Sequence, residues 1–103
     1  MAYSLLIIDD DLEGSNDHEG RKITYEKVFG GDGFNVSYVS NPSELNIAVQ
    51  TPVDGYLLDI ILDKGQWGRE RWTSKRVIDD YLSSKGPPIF LVSQGWSEDT
   101  SRT

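Results

Sequence analysis

Residues 53–62 read Val53-Asp54-Gly55-Tyr56-Leu57-Leu58-Asp59-Ile60-Ile61-Leu62. Asp54 and Gly55 mark a turn, and the apolar run behind them does not alternate with polar residues. A short unalternating run suits a strand buried on both faces, as at the centre of a parallel sheet. Asp59 falls where such a strand ends. A lone carboxylate is too costly to bury, so it belongs at a surface cleft or beside a cation. Two further strand-like runs end in the same way. Leu5-Leu6-Ile7-Ile8 leads into Asp9-Asp10-Asp11, and Ile89-Phe90-Leu91-Val92 leads into Ser93. If the strands are parallel, these polar residues collect along one edge of one sheet, where open α/β sheets place their sites.

The rest of the chain fits that plan. Its 103 residues suffice for one domain with a core, at the small end for an α/β sheet. Seventeen acidic against ten basic residues give a net charge of −7, which disfavours direct binding to nucleic acid. There is no cysteine, so disulfides and thiolate metal sites are excluded. No apolar run approaches membrane-spanning length, and the N-terminus has no secretory pattern. The expectation is a soluble, cytoplasmic, acidic domain with no membrane contact.

In order, residues 3–9 read as the first strand. A polar loop follows, in which Ser15, Asn16 or Asp17 is placed to cap a helix over 18–29 with Ile23, Tyr25, Val28 and Phe29 inward. Gly30-Gly31-Asp32-Gly33 ends it, and Phe34, Val36 and Tyr38 alternate with Asn35 and Ser37 as an edge strand does. Ser40-Asn41-Pro42-Ser43-Glu44 starts a short helix over 43–50. After the central strand comes a loop, Asp63 to Gly68, and a helix over 69–84 burying Trp72, Val77, Ile78, Tyr81 and Leu82. Lys85-Gly86-Pro87-Pro88 breaks it before the fourth strand, and Ser97-Glu98-Asp99 begins a further helix. The order βαβαβαβ with right-handed crossovers predicts a doubly wound parallel sheet with helices on both faces.

An acidic pair after strand one, a lone Asp after strand three and a Ser after strand four form a specific set. The chain resembles the receiver domain of two-component response regulators, and the resemblance covers nearly all of it in element order. It implies a flavodoxin-like fold with strand order 2-1-3-4 for the strands present, strand five being absent. It also implies that Asp59 accepts a phosphoryl group from a histidine kinase or phosphotransfer protein. Asp9 and Asp10 would be the Mg²⁺-binding pair, joined by Asp59 and the main-chain carbonyl of Ile61. Ser93 would be the switch hydroxyl that bonds the phosphoryl oxygen. The sequence departs from the pattern in two places. The lysine that follows strand five in receivers has no counterpart, since neither Lys64 nor Lys85 stands in its place. The loop after Asp59 also lacks the usual proline, leaving Gly65 and Gly68 to make the turn. These departures suggest a C-terminally truncated domain whose fourth strand is an open edge, suited to a homodimer.

The chemistry is coherent on its own terms. Mg²⁺ takes hard oxygen ligands and keeps several waters, so carboxylates and a carbonyl suffice. The ion relieves repulsion among clustered carboxylates and offsets charge on incoming phosphoryl oxygens, and Asp59 is then an anionic nucleophile. Two other readings compete. One is a receiver-like interaction module that keeps the fold without phosphorylation. The other is a haloacid-dehalogenase-type phosphatase, with Asp9 as nucleophile and Asp11 as acid/base in the Asp9-Asp10-Asp11 run. Several residues have plainer readings. Asp11 reads as a solvated loop acid, His18 as a cap or surface residue, Trp72 as core, and Lys75-Arg76 as a wet helix face. Trp67 and Trp96 read as lining for a partner surface.

Overall fold

Leu5, Leu6, Ile7 and Ile8 are all buried, which a strand achieves only when both faces of its sheet are covered. The computed structural model, which describes residues 2–16, 18–31 and 33–93, provides this cover. β1 (Tyr3–Ile8) lies between β2 (Phe34–Val39) and β3 (Gly55–Asp59), and β4 (Ile89–Val92) pairs with the far side of β3. All pairings are parallel and the order is β2-β1-β3-β4. The expected α/β flavodoxin-like arrangement is therefore present, with the order predicted from sequence. The register pairs Ile8 with Val39 and with Leu58, and Asp59 with Val92, so the strands end level with one another.

Alternate side chains of the central strands feed two cores. Leu6, Ile8, Tyr56 and Leu58 pack with Leu45, Trp67, Trp72, Val77 and Leu82, so α2 (Leu45–Ala48), α3 (Gly65–Arg69) and α4 (Ser74–Val77) cover that face. Leu5, Ile7 and Leu57 pack on the other face with Leu12 and Tyr25, beneath α1 (Arg21–Phe29). Among the described residues, no helix is long and apolar enough to cross a membrane.

The helices differ in detail from the sequence expectation. α1 starts at Arg21 rather than 18, and Ile23 and Val28, expected inward, are 45% and 63% exposed. Tyr25 is the buried residue of α1 and Phe29 is partly buried, and both pack against the Leu5, Ile7 and Leu57 side of the sheet. Pro42–Glu44 forms a 3₁₀ turn leading into α2. Glu44 Oε1 accepts from the Ser40 N–H at 2.9 Å, which closes this turn from the acidic side. The single helix expected over 69–84 is two. α3 already begins at Gly65, inside the expected loop, and Arg71 at φ 58° reverses the chain. Thr73 then caps α4 by accepting from the Arg76 N–H at 3.1 Å. α4 widens into a π-helical turn, Ile78–Leu82, marked by the Ser83 N–H bond to the Ile78 carbonyl at 2.8 Å.

This break places Trp67 in the core, correcting the expectation of a partner surface. The side chain is 0% exposed, its Nε1–H donates to the Ser40 carbonyl at 2.9 Å, and it stacks edge-on with Trp72 at 5.7 Å. Trp72 is core as expected, with the Arg76 guanidinium 3.7 Å from its ring centre. Trp96, the helix start at Ser97, and Asp17 as a cap all lie outside the described residues.

Candidate functional site

The level strand ends bring Asp9, Asp10 and Asp59 together. One oxygen from each lies within 4.8 Å of the others, the separation a single cation can bridge. Asp59 is the last residue of β3 and 0% exposed, while Asp9 and Asp10 follow β1 directly. Ser93 follows Val92, the register partner of Asp59, and so belongs to the same end of the sheet. The Ile61 N–H donates to Asp59 Oδ1 at 3.1 Å, which ties the loop after β3 to that carboxylate. Asp10 Oδ2 accepts from the Asp63 and Lys64 N–H groups at 2.8 and 2.9 Å, pinning the same loop from the other side. Two backbone donors are the usual way to hold a loop carboxylate in place.

Arg21 reaches into the middle of this cluster. Its Nη2 donates to Asp9 Oδ1, to Asp59 Oδ2 at 2.9 Å and to Asp10 Oδ1 at 3.2 Å. Its Nε donates to Asp9 Oδ2 at 2.8 Å and its Nη1 to Asp11 Oδ2 at 3.3 Å. Tyr25, one turn along α1, donates its hydroxyl to Asp9 Oδ2 at 2.6 Å. The loop geometry explains the aim of Arg21. The N–H groups of Arg21 and Lys22 donate to the carbonyls of Asp11 and Leu12 at 2.8 and 3.2 Å, so α1 begins directly above the acidic run. Gly20 permits this close approach, since a Cβ there would lie 2.1 Å from the Leu12 carbonyl oxygen.

Asp11 is not the solvated acid expected from sequence. It is 7% exposed and meets three cations or potential cations: Arg21, Lys64 Nζ at 3.0 Å and His18 Nε2 at 2.8 Å. His18, expected to be a cap or bare surface, thus contacts the rim of the acidic site, with Nδ1 3.0 Å from Ser15 Oγ. The sequence reading missed Arg21 and Tyr25. A signal existed for Arg21: a cation sits at the first position of a helix with no acid in its first turn, where the helix dipole favours anions. Such a misplaced charge is accounted for by an acidic partner elsewhere in the fold.

Electrostatics follow from this geometry. Four carboxylates face the full positive charges of Arg21 and Lys64, so the pocket remains acidic. Burial pushes the Asp59 carboxyl up to about 7. Asp9 and Asp10 push the same way, against the Ile61 N–H and Arg21. Burial also drives the Tyr25 hydroxyl upward, reinforced by its bond to Asp9, so it stays a donor. For Asp11, burial is outweighed by Lys64, His18 and Arg21, and its pKa is lowered. The excess negative charge and the convergent oxygens form a group that could hold a metal ion.

Compared with protein-family models, curated proteins and solved structures, the chain matches none.

Proposed function

We propose that this chain is a receiver-type signalling module. Asp59 accepts a phosphoryl group from a histidine kinase or phosphotransfer protein in the cytoplasm, and the product is a changed protein-binding surface. The observation that carries the reading is the convergence of Asp9, Asp10 and Asp59 at the C-terminal edge of a parallel sheet in the order β2-β1-β3-β4. In this reading Mg²⁺ is held by Asp9, Asp10, Asp59 and the main-chain carbonyl of Ile61, and supplies charge neutralisation for the phosphoryl oxygens. An Asp59 oxygen attacks phosphorus, a P–O bond forms as the P–N bond to the donor imidazole breaks, and the imidazole leaves with a proton. Ser93 then bonds a phosphoryl oxygen. Lys64, whose ammonium already stands on the rim at Asp11, is the nearby lysine available to the transferred group.

One observation favours a second reading, a receiver-like interaction module without phosphorylation. Asp59 is fully buried beneath Arg21, whose guanidinium bonds Asp9, Asp10 and Asp59 and offsets part of their charge. The phosphatase reading has less support, because both oxygens of Asp9 are engaged by Arg21, Tyr25 and the Asp11 N–H. Incubation with a small phosphoramidate and Mg²⁺, followed by mass spectrometry of borohydride-trapped peptides, separates the three. Label on Asp59, absent from Asp59→Asn, is the expected result. Label on Asp9 selects the phosphatase chemistry, and no label selects the phosphate-independent module.

A further inference from the structure

We infer that Arg21 is a built-in counter-ion, and that its guanidinium and a divalent cation are alternative occupants of one seat. The inference rests on the metal-binding reading of the Asp9, Asp10 and Asp59 cluster. Arg21 Nη2 donates to one oxygen of each of these three carboxylates. A nitrogen bonded to all three stands at their point of convergence. Mg²⁺ requires carboxylate oxygens at about 2.0–2.1 Å, so an ion drawing on these oxygens must take the place of Nη2. Two cations sharing so small a space would also repel one another.

The surroundings provide for the exchange. Arg21 keeps its main chain anchored to the Asp11 carbonyl at 2.8 Å, so the side chain can leave while α1 stays. That side chain is 19% exposed, which gives it a route to solvent. Asp11, which lies outside the trio, already accepts from Nη1 and offers a resting partner on the way out. The cluster holds more negative charge than one guanidinium neutralises, so a doubly charged ion gains where a monovalent ion does not. Arg21 therefore sets cation specificity: the metal-free protein is held together by its own arginine, and a divalent ion enters only by displacing it.

The test is a titration of the full chain with Mg²⁺, and separately Mn²⁺, followed by NMR of the Arg21 Nε–H and of the backbone around Asp59. The Arg21→Gln variant should bind Mg²⁺ roughly tenfold or more tightly than the wild type, the scale of one charge-assisted hydrogen bond. In the wild type, the Arg21 Nε–H signal should move to a solvent-exposed position in step with metal saturation. Arg21→Lys, which keeps charge but not the fork, should bind with intermediate affinity and serves if the glutamine variant does not fold. Equal affinities, or an Nε–H signal unmoved at saturation, would overturn the inference while leaving the metal site standing. Absence of binding by every protein would overturn both together.

Discussion

The Asp59 carboxyl has an ordinary value of 3.8 in the unfolded chain and about 7 in the fold, so the folded state holds its proton more tightly. Its contribution to folding is complete below about pH 4 and is lost as pH rises toward 7. The wild-type protein therefore carries a buried charge penalty at neutral pH. Asp59→Asn should be more stable than the wild type at pH 7 by roughly 2 kcal/mol, less than the full shift because the bonds to Arg21 and Ile61 weaken with it. Urea unfolding at a series of pH values checks the sign: the advantage should shrink to nothing near pH 4. An advantage independent of pH would mean that burial of the charge is not its cause.

Two elements depend on single close contacts. The start of α1 packs against the Asp11 to Glu13 loop through Gly20, where a Cβ would meet backbone atoms that cannot yield. Gly20→Ala should cost about 2–4 kcal/mol and displace Arg21 from the acidic site. Gly31→Ala, where the space is open, should stay within about 0.5 kcal/mol. Denaturant midpoints for the pair, measured together, distinguish close packing from general helix effects. The short α3 is held by Trp67, which fills the core beneath it and bonds the Ser40 carbonyl. Trp67→Ala should lose about 3–5 kcal/mol through the cavity and the orphaned carbonyl, and its unfolding midpoint should show it.

At the scale of the molecule, the two faces of the sheet are unequally covered. Among the described residues, three helices lie on one face and α1 alone on the other, where Tyr3, Leu5, Phe29, Phe34, Leu57 and Phe90 line an apolar hollow of about 500 Å³. β4 pairs with β3, and among the described residues no strand pairs with its outer side. Phe90 and Leu91 are half exposed. Open parallel edges of this kind favour association with a second copy about a two-fold axis. Sedimentation at micromolar concentration should show a dimer, and Leu91→Lys should shift it to a monomer that still unfolds cooperatively in urea. A wild-type monomer over that range would rule out the edge as a self-association surface.

What could be read from residues alone was whatever depends on runs and their ends. Three short apolar runs, each closed by polar residues, together with an alternating one at Phe34–Val39, pointed to a parallel sheet and to Asp9, Asp10, Asp59 and Ser93 at one edge of it. Strand burial has a local signature, because a strand covered on both faces cannot alternate. The helices were less legible, since their inward faces depend on what lies beneath. Ile23 and Val28 are exposed while Tyr25 and Phe29 of the same helix meet Leu5, Ile7 and Leu57, and Trp67 is core in a helix that begins inside the expected loop. The tertiary structure alone decided the partner of the buried acids. Arg21 lies 38 residues from Asp59 in sequence, and only the crossover from β1 through α1 brings its guanidinium to the end of β3. Charge compensation is a through-space requirement, so the residue that satisfies it leaves no periodic trace in the chain.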